Sequence, residues 1–433
     1  MIIIELLIVL GAIFLGARLG SIGIGLAGGA GVLVLGLIGV PVSQSAIPFD
    51  VIAIIMAVIA AISAMQVAGG LDYMVDVADR FLRKRPKQIT LFAPLVTYFM
   101  TLFAGTGHTA FSTLPVIVEV AKENNVRPSK PLSIAVVASQ MAITASPISA
   151  AVVFFASILE PGVSYIQLLS IAIPSTLTAV ILTSFVANMF GGPLDEDPIY
   201  QERLAAGAVH LKGRNVYEEV PGAKRSVVMF LTAILLVVGY ATAISENVGL
   251  ITDPTLPRNE AIITIMLATG ALIVMSSKFE PVKILKSQVF QSGMSATVCI
   301  LGVAWLGTTF VNAHIETIEE LAGDILQTQP WTLAIVLAFA SALLYSQAAT
   351  TRALMPAALA LGVSPLGAIA AFPAVSALFV LPTYPTLLAA VEMDDTGSTR
   401  IGKYVFNHPF MIPGLVNIAL AVMFGFIFGS LIL

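Results

Sequence analysis

Hydrophobic positions along the chain fall into long unbroken runs rather than into strand-like alternation or narrow helical stripes. Residues 51–71, 88–118, 131–159, 161–194, 325–351 and 353–391 contain no Asp, Glu, Lys or Arg. Each run can cross or enter a bilayer core of ~30 Å as helix. The pattern predicts ten full spans, at 2–17, 21–40, 49–70, 131–158, 165–190, 226–245, 259–277, 289–312, 365–391 and 409–433. Composition agrees. With 58% hydrophobic and 11% charged residues among 433, a soluble fold would lack polar surface to cover itself. The first apolar stretch, behind Met1–Glu5, has no basic n-region and reads as a first span rather than a cleaved leader.

Basic residues cluster between the runs: Arg80 to Lys87, then Lys122, Arg127 and Lys130, then Arg203 to Arg225, then Lys278 to Lys286, then Arg400 and Lys403. The positive-inside rule places these loops on the cytoplasmic side and both termini outside. Loops 41–49, 159–164 and 313–329 carry no Lys or Arg and fall on the opposite side. Arg18 then reads as a cytoplasmic turn anchor.

Segment 89–121 therefore begins and ends on one side. At 1.5 Å per residue its arms, 89–104 and 110–121, would be about 24 Å and 18 Å long, each short of a crossing. We expect a re-entrant hairpin with its tip at Gly105-Thr106-Gly107-His108-Thr109. Segment 330–361 starts and must end on the other side, so a second hairpin is expected there, tipped by Ser346-Gln347-Ala348-Ala349-Thr350-Thr351-Arg352. Pro115 and Pro356 occupy matching returning arms. The fold expected is an all-α polytopic membrane protein of two inverted repeats with five spans each. Repeat one is 1–192 and repeat two is 226–433, joined by a cytoplasmic linker, 193–225, too short to bury a core of its own.

Two spans carry proline at mid-length, Pro147 in one and Pro382 with Pro385 in the other. Proline removes an amide donor and frees a carbonyl, and irregular backbone at that depth must line a cavity or be buried in protein. Polar residues flank both breaks: Thr144, Ser146 and Ser149 around Pro147, and Thr383, Tyr384 and Thr386 around the second pair. With the hairpin tips they form two matched clusters of hydroxyls, amides and helix ends. A helix N-terminus carries roughly half a positive charge, so two clusters suit an anion with two charged ends. The alternative is that the prolines only kink packed helices.

Arg352 falls at a tip within the membrane, where a cation is a functional candidate by default; the alternative is that it caps carbonyls of arm 330–345. His108 can titrate near neutrality or simply hydrogen-bond its loop. Other signals lead elsewhere. Gly23, Gly25 and Gly28 match a dinucleotide fingerprint but lie in an apolar run with no acidic partner downstream, so they read as helix packing. Cys299 is alone in an apolar run, which excludes a disulfide framework. No zinc ligand set, Ser-His-Asp arrangement or Walker loop is present, so no cofactor or metal is expected, an ATP-driven pump is disfavoured, and a membrane hydrolase would lack an activated nucleophile.

The stretches FLGARLGSIGIGLAGG, FAGTGHT, ITASPISAAVV, LYSQAAT, LPTYPTLLAAVEMDDTGSTRIGK and FNHPF resemble the anaerobic C4-dicarboxylate transporters, the Dcu family, and the resemblance covers essentially the whole chain. It implies fumarate, malate, succinate and aspartate as substrates, exchange in anaerobic respiration, and a bacterial inner membrane. It also implies a likeness to the wider ion-transporter superfamily with hairpins and broken helices. Within the family Asn often stands at the position of His108, and Lys can stand at that of Arg352. The expected function is a secondary transporter working by antiport, with Na⁺- or H⁺-coupled symport as the alternative. Its partners are small dicarboxylates and lipid, with no nucleic acid; a homo-oligomer stays open.

Overall fold

The computed structural model describes residues 1–19, 22–47, 49–105, 107–159, 162–209, 220–244, 250–344, 346–381, 384–402 and 406–433. Among them the secondary structure is entirely helical.

Helices α1 (Ile2–Leu19) and α2 (Gly23–Leu37) pack on each other. α3 (Phe49–Val67) gives way to α4 (Gly70–Lys84) through a 69° bend. Gly69, at φ +82°, takes the left-handed conformation that this corner requires. α4 buries Leu71, Ala78 and Leu82, and pairs its Asp76 and Asp79 with Arg80 and Arg83 one turn on. α5 (Ile89–Ala104) and α6 (Ala110–Glu123) meet at the first tip, and α7 (Ser129–Ile143) and α8 (Ala150–Leu159) flank the first break. α9 (Tyr165–Asn188) starts with a capping box between Ser164 and Gln167.

After α10 (Pro198–Ala205) come α11 (Ala223–Ala243), α12 (Arg258–Ser277), the single turn α13 (Val282–Leu285) and α14 (Gln288–Thr328). α15 (Thr332–Leu344) and α16 (Gln347–Ala360) meet at the second tip. α17 (Pro365–Ala371) runs into a 3₁₀ segment, Phe372–Phe379, before α18 (Pro385–Met393), and α19 (Met411–Ile432) ends the chain.

The hairpins and broken helices share one core. α5 lies on α7, α15 on the 372–379 segment, α16 on α8, α6 on α18, and α9 on α19. Around it α3 packs on α12 and on α14, and α14 packs on α2. α7 is buried all round: Leu132 through Ala142 are each at most 2% exposed. Its Ala and Ser residues let backbones approach closely, as membrane packing favours. The same device explains the glycine-rich start of α2, where a Cβ on Gly302 of α14 would stand 1.8 Å from the Gly25 carbonyl oxygen.

Several boundaries differ from those expected. Residues 313–329, expected as a loop after a span ending at 312, are helical to Thr328: α14 continues with one kink at His314 (φ −129°). The stretch Ile315-Glu-Thr-Ile-Glu-Glu-Leu-Ala is rich in helix formers, which outweighs its acidity. His314 also meets the buried Glu5 of α1. The second broken span departs from α-geometry ten residues before its expected break, at Phe372, where Pro373 enters the first turn and Ala377 (ψ 27°) leaves helical geometry.

The apolar helix leading to the first tip begins at Pro86, so over 86–104 it has the length and composition of a crossing helix. Length alone does not separate such an arm from a span. Among the described residues the other helices long and apolar enough to cross are α9, α11, α12 and α19, with α3–α4 a bent sixth.

Residues 194–205 dock on the body. Leu194 N–H donates to the Asn125 carbonyl, Asp197 pairs with Arg127 at 3.1 Å, and Arg203 donates to the Asp395 carbonyl. Beside them Lys122, at the end of α6, reaches Glu119 at 2.8 Å and Asp395 at 2.9 Å. The buried Asp394 carboxylate accepts from Thr396, Ser398 and the Thr399 N–H, and Ser398 Oγ accepts from the Ser129 N–H at 3.1 Å.

Candidate functional site

At the first tip Gly105 closes α5 with φ +67°, its N–H donating to the Thr101 carbonyl at 2.8 Å. A side chain there would be strained, and its Cβ would meet Ile148 at 2.8 Å, so glycine lets the tip rest against the first break. Thr109 and Thr101 hydroxyls lie 3.0 Å apart and lock the turn. A Cβ at Gly107 would stand 3.4 Å from Ile143 and 4.0 Å from the Tyr384 hydroxyl. The tip thus touches both broken elements. Thr106, Thr383 and Pro382, and the side chain of His108, lie outside the described residues.

The hydroxyls of the first break are turned on backbone carbonyls. Thr144 donates to Met141 at 2.7 Å, Ser149 to Ile143 at 2.6 Å, and Ser146 to Leu102 of α5 at 2.6 Å. Tyr165 donates to the carbonyl of Pro147. These bonds satisfy carbonyls that the broken helix frees and tie the break to the hairpin. Their protons are already engaged.

At the second tip Ser346 caps α16, accepting from the Ala349 N–H at 3.2 Å. Thr350 and Thr351 donate back to the carbonyls of Ser346 and Gln347, at 2.8 and 2.6 Å. Gln347 reaches across to α7 and donates to the Gln140 carbonyl at 3.2 Å. Ser376 donates to that same carbonyl at 3.1 Å. α7, α16 and the 372–379 segment are therefore held at one point.

Three buried side chains in these elements have polar atoms with no partner among the described residues. Arg352 is 1% exposed, and none of its guanidinium nitrogens has a hydrogen-bond partner among the described residues. Its Cζ lies 5.5 Å from the ring centroid of Phe154 on α8, a cation–π contact between the hairpin of one half and the broken helix of the other. Thr386 Oγ1, in the first turn of α18, is buried without a partner among the described residues. So are both polar atoms of the Gln140 side chain. A buried cation without an anion costs several kcal/mol. A guanidinium in this state can donate charge-assisted bonds to an anion.

Gln140, Ser376 and Phe154 were not expected from sequence. The signal available was a lone Gln inside the apolar run 131–143; Phe154 looks like any lipid-span aromatic until α16 is folded against it. Among the described residues no group of three or more His, Cys, Asp or Glu could hold a metal ion.

Comparison with known proteins gives a consistent answer. The family model described as anaerobic C4-dicarboxylate membrane transporter matches residues 1–433. The C4-dicarboxylate transporter DcuA of Wolinella succinogenes is 62% identical over 434 residues, covering 100% of both chains. Its Escherichia coli K12 counterpart is 60% identical over 435 residues, again covering 100% of both, and that of Helicobacter pylori 26695 is 51% identical over 99% of both. Among solved structures, the YdaH transporter of Alcanivorax borkumensis matches with TM-score 0.53 at 13% identity, over 87% of this chain and 84% of that one, a likeness of fold. A polytopic helical chain with this core and these relatives along its full length belongs to the anaerobic C4-dicarboxylate membrane transporters, a family of carriers rather than enzymes.

Proposed function

We propose that the protein exchanges fumarate, succinate, malate and aspartate by antiport across a bacterial inner membrane, with both termini periplasmic. The substrate is held between the two hairpin tips and the two broken helices. The observation that carries this reading is Arg352, a buried guanidinium with no hydrogen-bond partner among the described residues, on a hairpin helix against Phe154 of a broken one. Two helix ends supply roughly one positive charge to a dianion, and the guanidinium supplies the rest through charge-assisted bonds.

Packing supports the inverted-repeat part of the reading. Set in order, α1, α2, α3, α5–α6, α7–α8 and α9 correspond to α11, α12, α14, α15–α16, α17–α18 and α19. The contacts α3 on α12, α5 on α7 and α6 on α18 then exchange with α14 on α2, α15 on the 372–379 segment and α16 on α8. Paired broken elements of this kind suit alternating access.

The test is binding of fumarate to the purified protein by calorimetry. Arg352→Lys keeps part of the affinity; Arg352→Gln loses most of it, by about 2 kcal/mol or more, while still folding. Near-native affinity in Arg352→Gln, with reduced protein stability, would assign Arg352 to capping instead.

A further inference from the structure

We infer that Gln140 is a specificity residue that reads the substituent at C2 of the substrate, favouring C4-dicarboxylates with an amino or hydroxyl donor there over unsubstituted ones. The inference rests on the dicarboxylate site proposed above and deepens it. Gln140 is 1% exposed, and neither Nε2 nor Oε1 has a partner among the described residues. A buried polar side chain left in that state costs free energy and is normally paired.

The backbone of Gln140 does not share this idleness. Its carbonyl takes one bond from Gln347 and one from Ser376, which fixes the residue at the crossing of α7, α16 and the 372–379 segment. Gln347 precedes Arg352 by five positions on α16, about 7.5 Å of axial rise and about 140° of turn, so a substrate held by Arg352 would have to reach round α16 toward α7 to meet Gln140. The side chain therefore starts from a pinned backbone, close to the helix that carries the cation.

Its chemistry differs from that of the groups around it. The Arg352 guanidinium can only donate. Thr144, Ser146, Ser149, Thr350 and Thr351 have committed their protons to backbone carbonyls. A carboxamide offers a donor and an acceptor side by side in one plane, the combination that lets Asn and Gln grip the donor–acceptor edge of adenine with two bonds. In a 2-amino or 2-hydroxy dicarboxylate a carboxylate acceptor and an N–H or O–H donor sit on adjacent carbons. Nε2 can donate to the carboxylate while Oε1 accepts from the substituent. Fumarate or succinate has only acceptors, so Oε1 stays unpaired and desolvated, which penalises those substrates relative to the substituted ones.

The test measures dissociation constants of aspartate, malate, succinate and fumarate on purified full-length protein, wild type beside Gln140→Met, which keeps the volume and removes both polar atoms. The expected result is a loss of about tenfold for aspartate and malate relative to succinate. Gln140→Glu serves as the second variant, retaining the acceptor while adding a negative charge. It is expected to weaken succinate more than aspartate, whose ammonium it still meets. Unchanged ratios among the four ligands in both variants, or an equal loss for all four, would overturn the inference. Failure of the wild type itself to bind any of the four would instead overturn the dicarboxylate reading on which it rests.

Discussion

His408 stands just before α19, buried, with Phe410 at its side and only the Val380 backbone working against the effect of burial. Burial holds its pKa below the ordinary value of 6.5, so the fold contains the neutral ring. The sign follows from linkage. A depressed folded pKa contributes stability that is complete above the unfolded value and is lost as pH falls from about 6.5 toward the lower folded value. The melting temperature of wild type is expected to drop across that window, and His408→Phe to flatten the drop; an equal slope in both would clear His408. Gly105 is the backbone counterpart. Gly105→Ala places a Cβ at positive φ, 2.8 Å from Ile148, and is expected to cost about 2 kcal/mol or more. Lost transport beside a normal melting curve would show instead that the tip moves rather than packs.

At the scale of elements, the hairpins and breaks were legible because charge clusters and prolines mark them directly: both flanks of 89–121 are basic, and α7 ends at Ile143, four residues before Pro147. The 3₁₀ stretch 372–379 was hidden, since Phe-Pro-Ala-Val-Ser-Ala-Leu-Phe reads as plain apolar helix until Pro373 is placed in a first turn. The helical tail of α14 was hidden for a different reason: charge distribution reports sides of the membrane and says nothing about secondary structure. Gln140 was missed because its importance depends on what fails to pair with it, a tertiary fact. The ionic junction of α6 with the loop after α18 was equally out of reach, since 273 residues separate Lys122 from Asp395.

That junction has an energetic consequence. Burial works against the Lys122 ammonium, but bonds to Glu119 and Asp395 outweigh it and raise its pKa above 10.5. Its contribution is therefore complete at neutral pH and is lost only as pH climbs through that raised value. Lys122→Met leaves two carboxylates facing each other and is expected to destabilise by about 2 kcal/mol, less than a fully buried pair because Asp395 keeps 26% side-chain exposure. Adding Asp395→Asn should restore most of the loss. Additive losses in the double variant would show that the two residues are not coupled.

For the whole molecule, the proposed antiport makes a prediction about how the buried cation couples transport. When the site is empty, Arg352 remains desolvated beside Phe154, with no hydrogen-bond partner among the described residues, so moving the empty site across the membrane carries an uncompensated charge through low dielectric. A bound dicarboxylate, balanced by the guanidinium together with the helix ends, removes that excess. Reorientation should therefore be fast when loaded and slow when empty, which is the condition for exchange rather than net flux. Proteoliposomes loaded with labelled succinate should release it at least about tenfold faster when fumarate is outside than when buffer is, since each 1.4 kcal/mol of extra barrier in the empty form is a factor of ten. Arg352→Gln removes the unpaired charge, so at saturating substrate it should narrow that ratio even as affinity falls. Equal efflux with and without external fumarate in the wild type would defeat the antiport reading, and efflux or uptake that instead follows a Na⁺ or proton gradient would put symport in its place.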